Sequence, residues 1–386
     1  MNKLPNGWTE YKLKDIMSIS SKRYNPNKDT KNYKCIELEH IESETGILNG
    51  HTNSKDIHSV KNVFEKGEVL YGKLRPYLKK FYLAKFDGVC SSEIWVLKGK
   101  KVINDFLYYF IQQDNFNYIA NVSIGMIMPR ADWSYMSEIS FNIPPLDEQK
   151  RIASALSKID AYLENTIKLI EEKERFKRGI AKKLLTCKEG ENIPEARFKG
   201  FEDEWEETQI LEFVNNNIIK IEKGKSITKS KIEEGDIPVI AGGKTPPYYH
   251  NKYNYNFPCI TISASGSAGY VWFHDYKIWA SDCHVIYTDN KRYNIKFLYH
   301  YLKNIQDLIY YLQVGGVQKH VYAKDLIKLN IPNITIEEQE KIGGYLSLLD
   351  AEIDNLKKQK ELIKEMKIGA MQKLLSGEVR LVDNYD

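Results

Sequence analysis

Residues 148–185 read EQKRIASALSKIDAYLENTIKLIEEKERFKRGIAKKLL, and residues 338–375 read EQEKIGGYLSLLDAEIDNLKKQKELIKEMKIGAMQKLL. Set against each other without a gap, 190 positions apart, they agree at 15 of 38 positions. Ordinary residue usage would give about two or three. Glu148, Gln149 and Ile152 match at the start, and Lys183, Leu184 and Leu185 match at the end. Both copies follow a proline-marked lead-in, Asn142-Ile143-Pro144-Pro145 and Asn330-Ile331-Pro332. The chain is internally duplicated, a property that decides its architecture before any single element does.

Both copies carry the period of a long helix. Ile342, Leu346, Leu349, Ile353, Leu356, Ile363, Met366, Ala370 and Leu374 recur at spacings of three, four or seven. Ile152, Leu156, Ile159, Leu163, Ile167, Ile170, Phe176, Ile180 and Leu184 do nearly the same, with a skip after Ile170. The remaining positions are mostly Lys and Glu, so the apolar stripe is a narrow seam. At 1.5 Å per residue each helix would run about 57 Å. An isolated helix of that length needs a partner for its stripe. The two are therefore expected to pair as an antiparallel coiled coil and act as a spacer; packing of each on its own domain is the other arrangement. Thr335 with Glu338 predicts a capping box, Asp147 an N-cap, and Gly377 a stop.

The blocks ahead of the helices echo each other more faintly. Trp8 is followed by Leu13 and Trp205 by Ile210, both five residues on. Strand-like runs fall at 68–71, 80–85 and 93–97, and again at 259–263, 270–273 and 284–288. Aromatic-rich helical stretches fall at 104–111 and 296–311. The fold class is α+β: two mixed α/β domains separated by two long helices, with pseudo-twofold duplication. The expected segments are 1–147, a first variable domain, and 148–187, the central helix. They are followed by 188–336, a second variable domain, and 337–386, the second helix and tail. Gly190 and Pro194 mark 187–199 as a connector.

Bulk properties narrow the class without deciding it. The 386 residues are 42% hydrophobic, enough for real cores, and the formal net charge of +4 permits nucleic-acid binding without arguing for it. No run approaches the roughly 20 apolar residues of a membrane span, and the first residues lack a signal-peptide core. Five cysteines at 35, 90, 187, 259 and 283 form no CxxC pair, which fits a reducing cytoplasm.

The order of several short segments carries a resemblance. Pro144-Pro145-Leu146-Asp147-Glu148-Gln149-Lys150-Arg151-Ile152 and Glu337-Glu338-Gln339-Glu340-Lys341-Ile342 open the two helices. Gly72-Lys73-Leu74-Arg75-Pro76-Tyr77-Leu78-Lys79-Lys80 and Gly125-Met126-Ile127-Met128-Pro129-Arg130-Ala131-Asp132-Trp133 stand in the first domain. Ile262-Ser263-Ala264-Ser265-Gly266-Ser267-Ala268-Gly269 and Gly315-Gly316-Val317-Gln318 stand in the second. Across essentially its whole length the chain resembles the specificity subunit of type I restriction–modification systems. The resemblance implies a non-catalytic subunit in which each variable block is a target recognition domain reading one half of a split, asymmetric DNA site. It implies two modification subunits that bind S-adenosylmethionine and methylate adenine, and restriction subunits that use ATP with Mg. No cofactor is expected in this chain. The apolar seam ends, 180–185 and 370–375, are the expected docking surface for the modification subunits. The second copy departs from the pattern in its single proline and in Gly343-Gly344, which puts the rigidity of its first turn in question.

Affinity for DNA needs cations for phosphates, and specificity needs side chains that read base edges. Lys73, Arg75, Tyr77, Lys79 and Lys80 form a basic, aromatic loop between candidate strands, with Arg75 suited to guanine. A solvated surface loop has the same composition, and it is the resemblance that favours DNA contact. Arg130 is a second candidate. In the other half Lys244, Thr245, Tyr248 and Tyr249 form a polar, aromatic loop. Ser263 and Ser265 lie in a stretch of small residues that admits phosphates, and Gln318, Lys319 and His320 form a polar cluster in which Gln318 suits adenine. Each competes with an ordinary turn.

Catalytic readings fare poorly. Thr245-Pro246-Pro247-Tyr248 approaches the Asn/Asp/Ser-Pro-Pro-aromatic motif of amino-methyltransferases, but Thr is the wrong first residue and no glycine-rich cofactor loop follows a strand. No phosphate loop of the Gly-x-x-x-x-Gly-Lys-Ser/Thr type is present. Cys283, His284 and His274 lack the spacing of a structural zinc site. A coiled-coil interaction protein without a DNA role is the remaining alternative, and two large, divergent domains ahead of matched helices argue against it.

Overall fold

A computed structural model of the chain describes residues 5–122 and 128–382. It divides into two compact units: Met1–Thr166 with Gln359–Asp386, and Ile167–Lys358.

In the first unit an antiparallel sheet runs in the order Met17–Ile19, Ile94–Gly99, Val69–Gly72, Phe81–Leu83. The sequence of its central strands is apolar without alternation because both faces are covered. Val69, Tyr71, Trp95 and Leu97 face one core, made with Phe106, Phe110, Phe116 and Phe141. Leu70, Ile94 and Val96 face another, made with Ile36, Phe64 and Tyr82. The second unit repeats the plan. Ile219–Lys223, Cys283–Thr288, Cys259–Ser263 and Val271–His274 form a sheet of the same order. Ile260, Ile262 and Ile286 face one core, while Cys259, Cys283 and Val285 face the other.

The flanking elements repeat too. Thr9–Lys12 pairs with Ser140–Ile143 in the first unit, and Glu206–Gln209 with Asn330–Asn333 in the second. Helices Asn104–Phe110, Asp114–Asn121 and Trp133–Met136 correspond to Ile295–Asn304, Gln306–Tyr311 and Ala323–Leu326. The single helix expected over 296–311 is thus two, parted at Ile305; the Gln306 side chain is drawn off to Gly269 O at 2.6 Å and Val271 N at 3.1 Å. The outer sheets differ. One has five strands in the order Arg23–Tyr24, Lys61–Phe64, Gly88–Cys90, Lys34–Ile36, Thr52–Asn53; the other has three, Tyr248–His250, Ile237–Ile240, Trp279–Ala280.

The long helices span Leu146–Leu185 and Ile336–Ser376. The first begins before Asp147, which therefore lies in its first turn and is not the N-cap. Thr335 Oγ1 accepts the Glu338 amide at 3.4 Å, but the Glu338 carboxylate is used elsewhere, so only half of the capping box forms. Gly377 ends the second helix at φ 75°. Within the first unit Lys367 pairs with Asp160 at 2.7 Å, and Gln359 donates to Tyr162. Within the second, Lys173 pairs with Glu352 at 2.6 Å, Lys357 with Glu174 at 2.7 Å, and Lys177 with Asp350. In both units higher numbers on one helix meet lower numbers on the other, an antiparallel register. Phe176 and Met366, assigned to the seam by periodicity, are instead 52% and 50% exposed.

The seam ends are not open surfaces. Leu374 and Leu375 are buried in the core of the first unit, and Leu184 and Leu185 in that of the second. The leucines of the docking surface expected at 180–185 and 370–375 are therefore core residues and not free seam ends. These leucines finish the hydrophobic cores, while Ile180, Ala370 and Met371 beside them stay partly exposed.

The Glu-Gln pair at each helix start is also structural. Glu148, 2% exposed, accepts Trp8 Nε1 at 3.0 Å and a two-point bond from Arg380 at 2.7 and 2.8 Å. Glu338, also 2% exposed, takes the same two-point bond from Arg197 at 2.7 and 2.8 Å. Gln149 accepts the Ile103 amide at 3.0 Å and donates to Lys101 O and Pro144 O. Gln339 accepts the Asn294 amide at 2.7 Å and donates to Ile334 O.

Removing the arginine would leave a buried carboxylate without its counter-charge. Arg380→Ala is expected to destabilise the first unit by about 3–5 kcal/mol, and Arg197→Ala the second. Peptide-resolved amide exchange checks this, and loss of protection in the opposite unit would contradict it. Burial holds the imidazoles of His274 and His300 down to about 3, with Lys177 and Lys296 adding to the effect on His300. In the unfolded chain both return toward the ordinary 6.5 and take up protons first. The stability they contribute is therefore present above about pH 6.5 and lost as pH falls from there toward 3. Thermal unfolding across that window should show the loss, with a shallower slope for His274→Gln.

Candidate nucleic-acid interface

The candidate residues of the first unit sit on a loop that leaves the inner sheet at Gly72 and returns at Phe81. The loop is closed by the Gly72 amide on Lys80 O at 2.8 Å. It contains one 3-10 turn, Pro76–Leu78, flanked by Arg75 and Lys79 in the left-handed region at φ 51° and 46°. Side chains disfavour that region, and such strain persists only where surrounding bonds enforce it. Here the Arg75 amide donates to Pro129 O at 2.7 Å, the Ala131 amide to Lys73 O at 2.9 Å, and Leu74 pairs with Arg130. The segment 128–133 is thereby brought alongside the loop. Gly125, Met126 and Ile127 of the same family-like stretch lie outside the described residues.

These side chains do not all face outward. Arg75 and Tyr77 are exposed, and Lys73 is partly so. Arg130 makes a two-point ion pair with Glu93, at 2.9 and 3.2 Å. Lys79 leans toward Glu44 and Asp114, at 3.6 and 3.8 Å, and lines a cleft of about 520 Å³. Lys80 is committed to Leu38 O at 2.6 Å, so its ammonium fastens the loop base.

In the second unit three separate stretches converge. The Ser267 amide donates to Gly242 O at 2.7 Å, and the Val321 amide to Ala264 O at 3.1 Å. The Gln313 side chain donates to Ala268 O at 2.7 Å. A side chain on Gly266 would lie 2.8 Å from Gly242 O, so this contact between loops needs glycine. Val314 and His320 close an exposed hairpin that presents Gln318 and Lys319. Lys244 and Thr245 are exposed on the neighbouring loop, and Tyr248 and Tyr249 on the strand that follows it. Ser263 is 4% exposed, with its hydroxyl on Ala241 O at 3.4 Å, and Ser265 donates to Asp282. Both serines hold the loop cluster together; Ser263 offers nothing to solvent.

The two clusters have one design. In each, the loop after the second inner strand is bonded to the segment that enters the last short helix, through Lys73–Ala131 in one and Ala264–Val321 in the other. Glu93 in the first cluster and Asp282 in the second carry no signal in the sequence, because a lone acid gives none until its neighbours are placed. His274 and His284 have ordinary partners: His274 meets Thr261 at 2.8 Å and His284 meets Val321 O at 2.9 Å. Among the described residues no group of three or more His, Cys, Asp or Glu side chains is placed to hold a metal ion. No helix of the described residues is long and apolar enough to cross a membrane.

Comparison with known proteins places these clusters in context. A family model described as the type I restriction modification DNA specificity domain matches twice, at residues 5–172 and 202–365. The chain is 26% identical to the putative type I restriction enzyme MjaX specificity subunit of Methanocaldococcus jannaschii, covering 99% of this chain and 96% of that protein. It is 30% identical to the EcoDI specificity subunit of Escherichia coli, covering 43% of this chain and 38% of that one. The crystal structure of the S subunit of a type I system from M. genitalium shares the fold. Its TM-score is 0.65 at 19% identity, with 97% of each chain covered. A coiled-coil scaffold without DNA recognition finds no support in these likenesses. The chain belongs to the type I restriction–modification DNA specificity family, with one copy of the family's domain in each half.

Proposed function

We propose that this chain reads a split, asymmetric DNA site, one half with each loop cluster, and catalyses nothing itself. The observation that carries the reading is the duplicated inner sheet presenting the same loop junction twice with different side chains. Lys73, Arg75, Tyr77 and Arg130 would serve one half-site. Lys244, Thr245, Tyr248, Tyr249, Gln318, Lys319 and His320 would serve the other. Lysines suit phosphates, while Arg75 suits the paired acceptors of guanine and Gln318 the edge of adenine. Duplicated readers suit half-sites spaced along the duplex, and differing side chains make those half-sites differ. The long helices set the interval between them.

The partners follow from family membership and belong to the same proposal: double-stranded DNA, two modification subunits and the restriction subunits, in the cytoplasm. S-adenosylmethionine would reside in the modification subunits, and ATP with Mg in the restriction subunits. The segments 1–147 and 188–336 would act as the recognition domains, and 148–187 and 337–386 as the spacer.

Methylation mapping of genomic DNA by single-molecule sequencing tests this directly. Cells carrying this chain with its modification subunit should show N6-methyladenine at one split motif, absent when this chain is removed. An unchanged methylation pattern would refute the reading. Arg75→Ala should weaken binding at one half-site by about 1–3 kcal/mol and leave preference at the other intact. Competition binding with duplexes altered in one half at a time checks it; equal loss at both halves would remove Arg75 from its role.

A further inference from the structure

Each loop cluster has a carboxylate at its centre, in the same topological place. Glu93 and Asp282 immediately precede the equivalent strands Ile94–Gly99 and Cys283–Thr288. Each presents its backbone carbonyl to the reading loop: the Lys73 amide donates to Glu93 O at 3.0 Å, and the Ala264 amide to Asp282 O at 3.2 Å. Each also holds a side chain of the cluster. Glu93 binds Arg130 at two points, 2.9 and 3.2 Å, and Asp282 accepts the Ser265 hydroxyl. The outer sheets of the two units diverge in strand number, yet this acid recurs.

Beyond holding Arg130 and Ser265 in place, these acids add nothing to a surface that only has to hold DNA. Phosphate oxygens accept hydrogen bonds and carry charge, so a carboxylate repels them and withholds Arg130 from them. Base edges differ, because cytosine N4 and adenine N6 are donors that a carboxylate can accept. Resting on the recognition role proposed above, we infer that Glu93 and Asp282 are specificity-determining residues. They suppress phosphate-driven binding and are satisfied by an exocyclic amino group of a base in the correct half-site. Glu93 acts on the half-site read by the first unit, and Asp282 on the other.

The test compares the full chain, in complex with its modification subunit, with Glu93→Gln and Asp282→Asn. Each is selected against a random duplex pool and titrated with a site-free duplex over a range of salt. The glutamine keeps the shape and removes the charge. Glu93→Gln is expected to bind the site-free duplex roughly three- to ten-fold more tightly at low salt, with a salt slope steeper by about 0.9 as Arg130 gains a phosphate. It should also lose preference at one position of one half-site, and Asp282→Asn at one position of the other. Unchanged motifs and slopes would overturn the inference while leaving DNA recognition intact. A uniform fall in affinity together with a lower melting temperature would also overturn it, showing the acids to be structural only. Failure of the wild-type complex to enrich any split motif would overturn the recognition reading and this inference with it.

Discussion

The buried glutamate at the start of each long helix is the constraint from which the rest of each unit follows. A carboxylate removed from water is tolerated only with a counter-charge and hydrogen bonds in place. Glu148 finds both in Trp8 and Arg380, which stand near opposite ends of the chain. The first unit is consequently closed by residues from the beginning and the end of the sequence, and its core needs Leu374 and Leu375 as well as Leu13 and Ile16. Glu338 imposes the same condition on the second unit, satisfied by Arg197 just beyond the first helix. The substitution is not perfect: Trp205 Nε1 is buried without an acceptor, whereas its counterpart Trp8 has one.

With the helix starts anchored, the adjacent glutamines fix the recognition domains to them. Gln149 and Gln339 each satisfy a backbone amide at the start of the first aromatic helix, at Ile103 and Asn294. Those helices pack on the inner sheet, whose central strands are buried on both faces and have little freedom to shift register. The loops proposed to read DNA leave the ends of this sheet. The outer sheets lie further from the anchors and differ in strand number, so divergence is concentrated where the anchored framework does not depend on it.

The framework was legible in the sequence because its causes are periodic and local. A 190-residue repeat exposed the duplication, a period of three and four exposed the helices, and doubly buried strands appeared as unbroken apolar runs. The failures are non-local. Phe176 and Met366 keep the seam's period yet turn outward, since periodicity does not specify which neighbour covers a position. The leucines at 184–185 and 374–375 read as a free seam end because the cores that bury them are contributed by distant segments. Lys80 and Ser263 have the chemistry of contact residues, but their polar atoms are taken by Leu38 O and Ala241 O. Glu93 and Asp282 were invisible for the converse reason: nothing in the sequence sets them beside the loops they occupy.

This distribution of charge explains why a chain that reads DNA need not be strongly basic. The formal net charge is only +4 over 386 residues. A uniformly cationic surface would bind every duplex through phosphates, and the many non-target sites of a genome would then compete with the target. Arg130 on Glu93 and Lys79 between Glu44 and Asp114 are cations of the proposed reading surface whose charge is already compensated. Arg75 stands apart, exposed and held in a left-handed turn by its amide on Pro129 O. Those backbone bonds fix where the Arg75 side chain leaves the loop, and its rotamers stay free. Specificity at such a surface comes from a few positioned donors, with the surrounding charge compensated so that phosphate attraction does not overwhelm them.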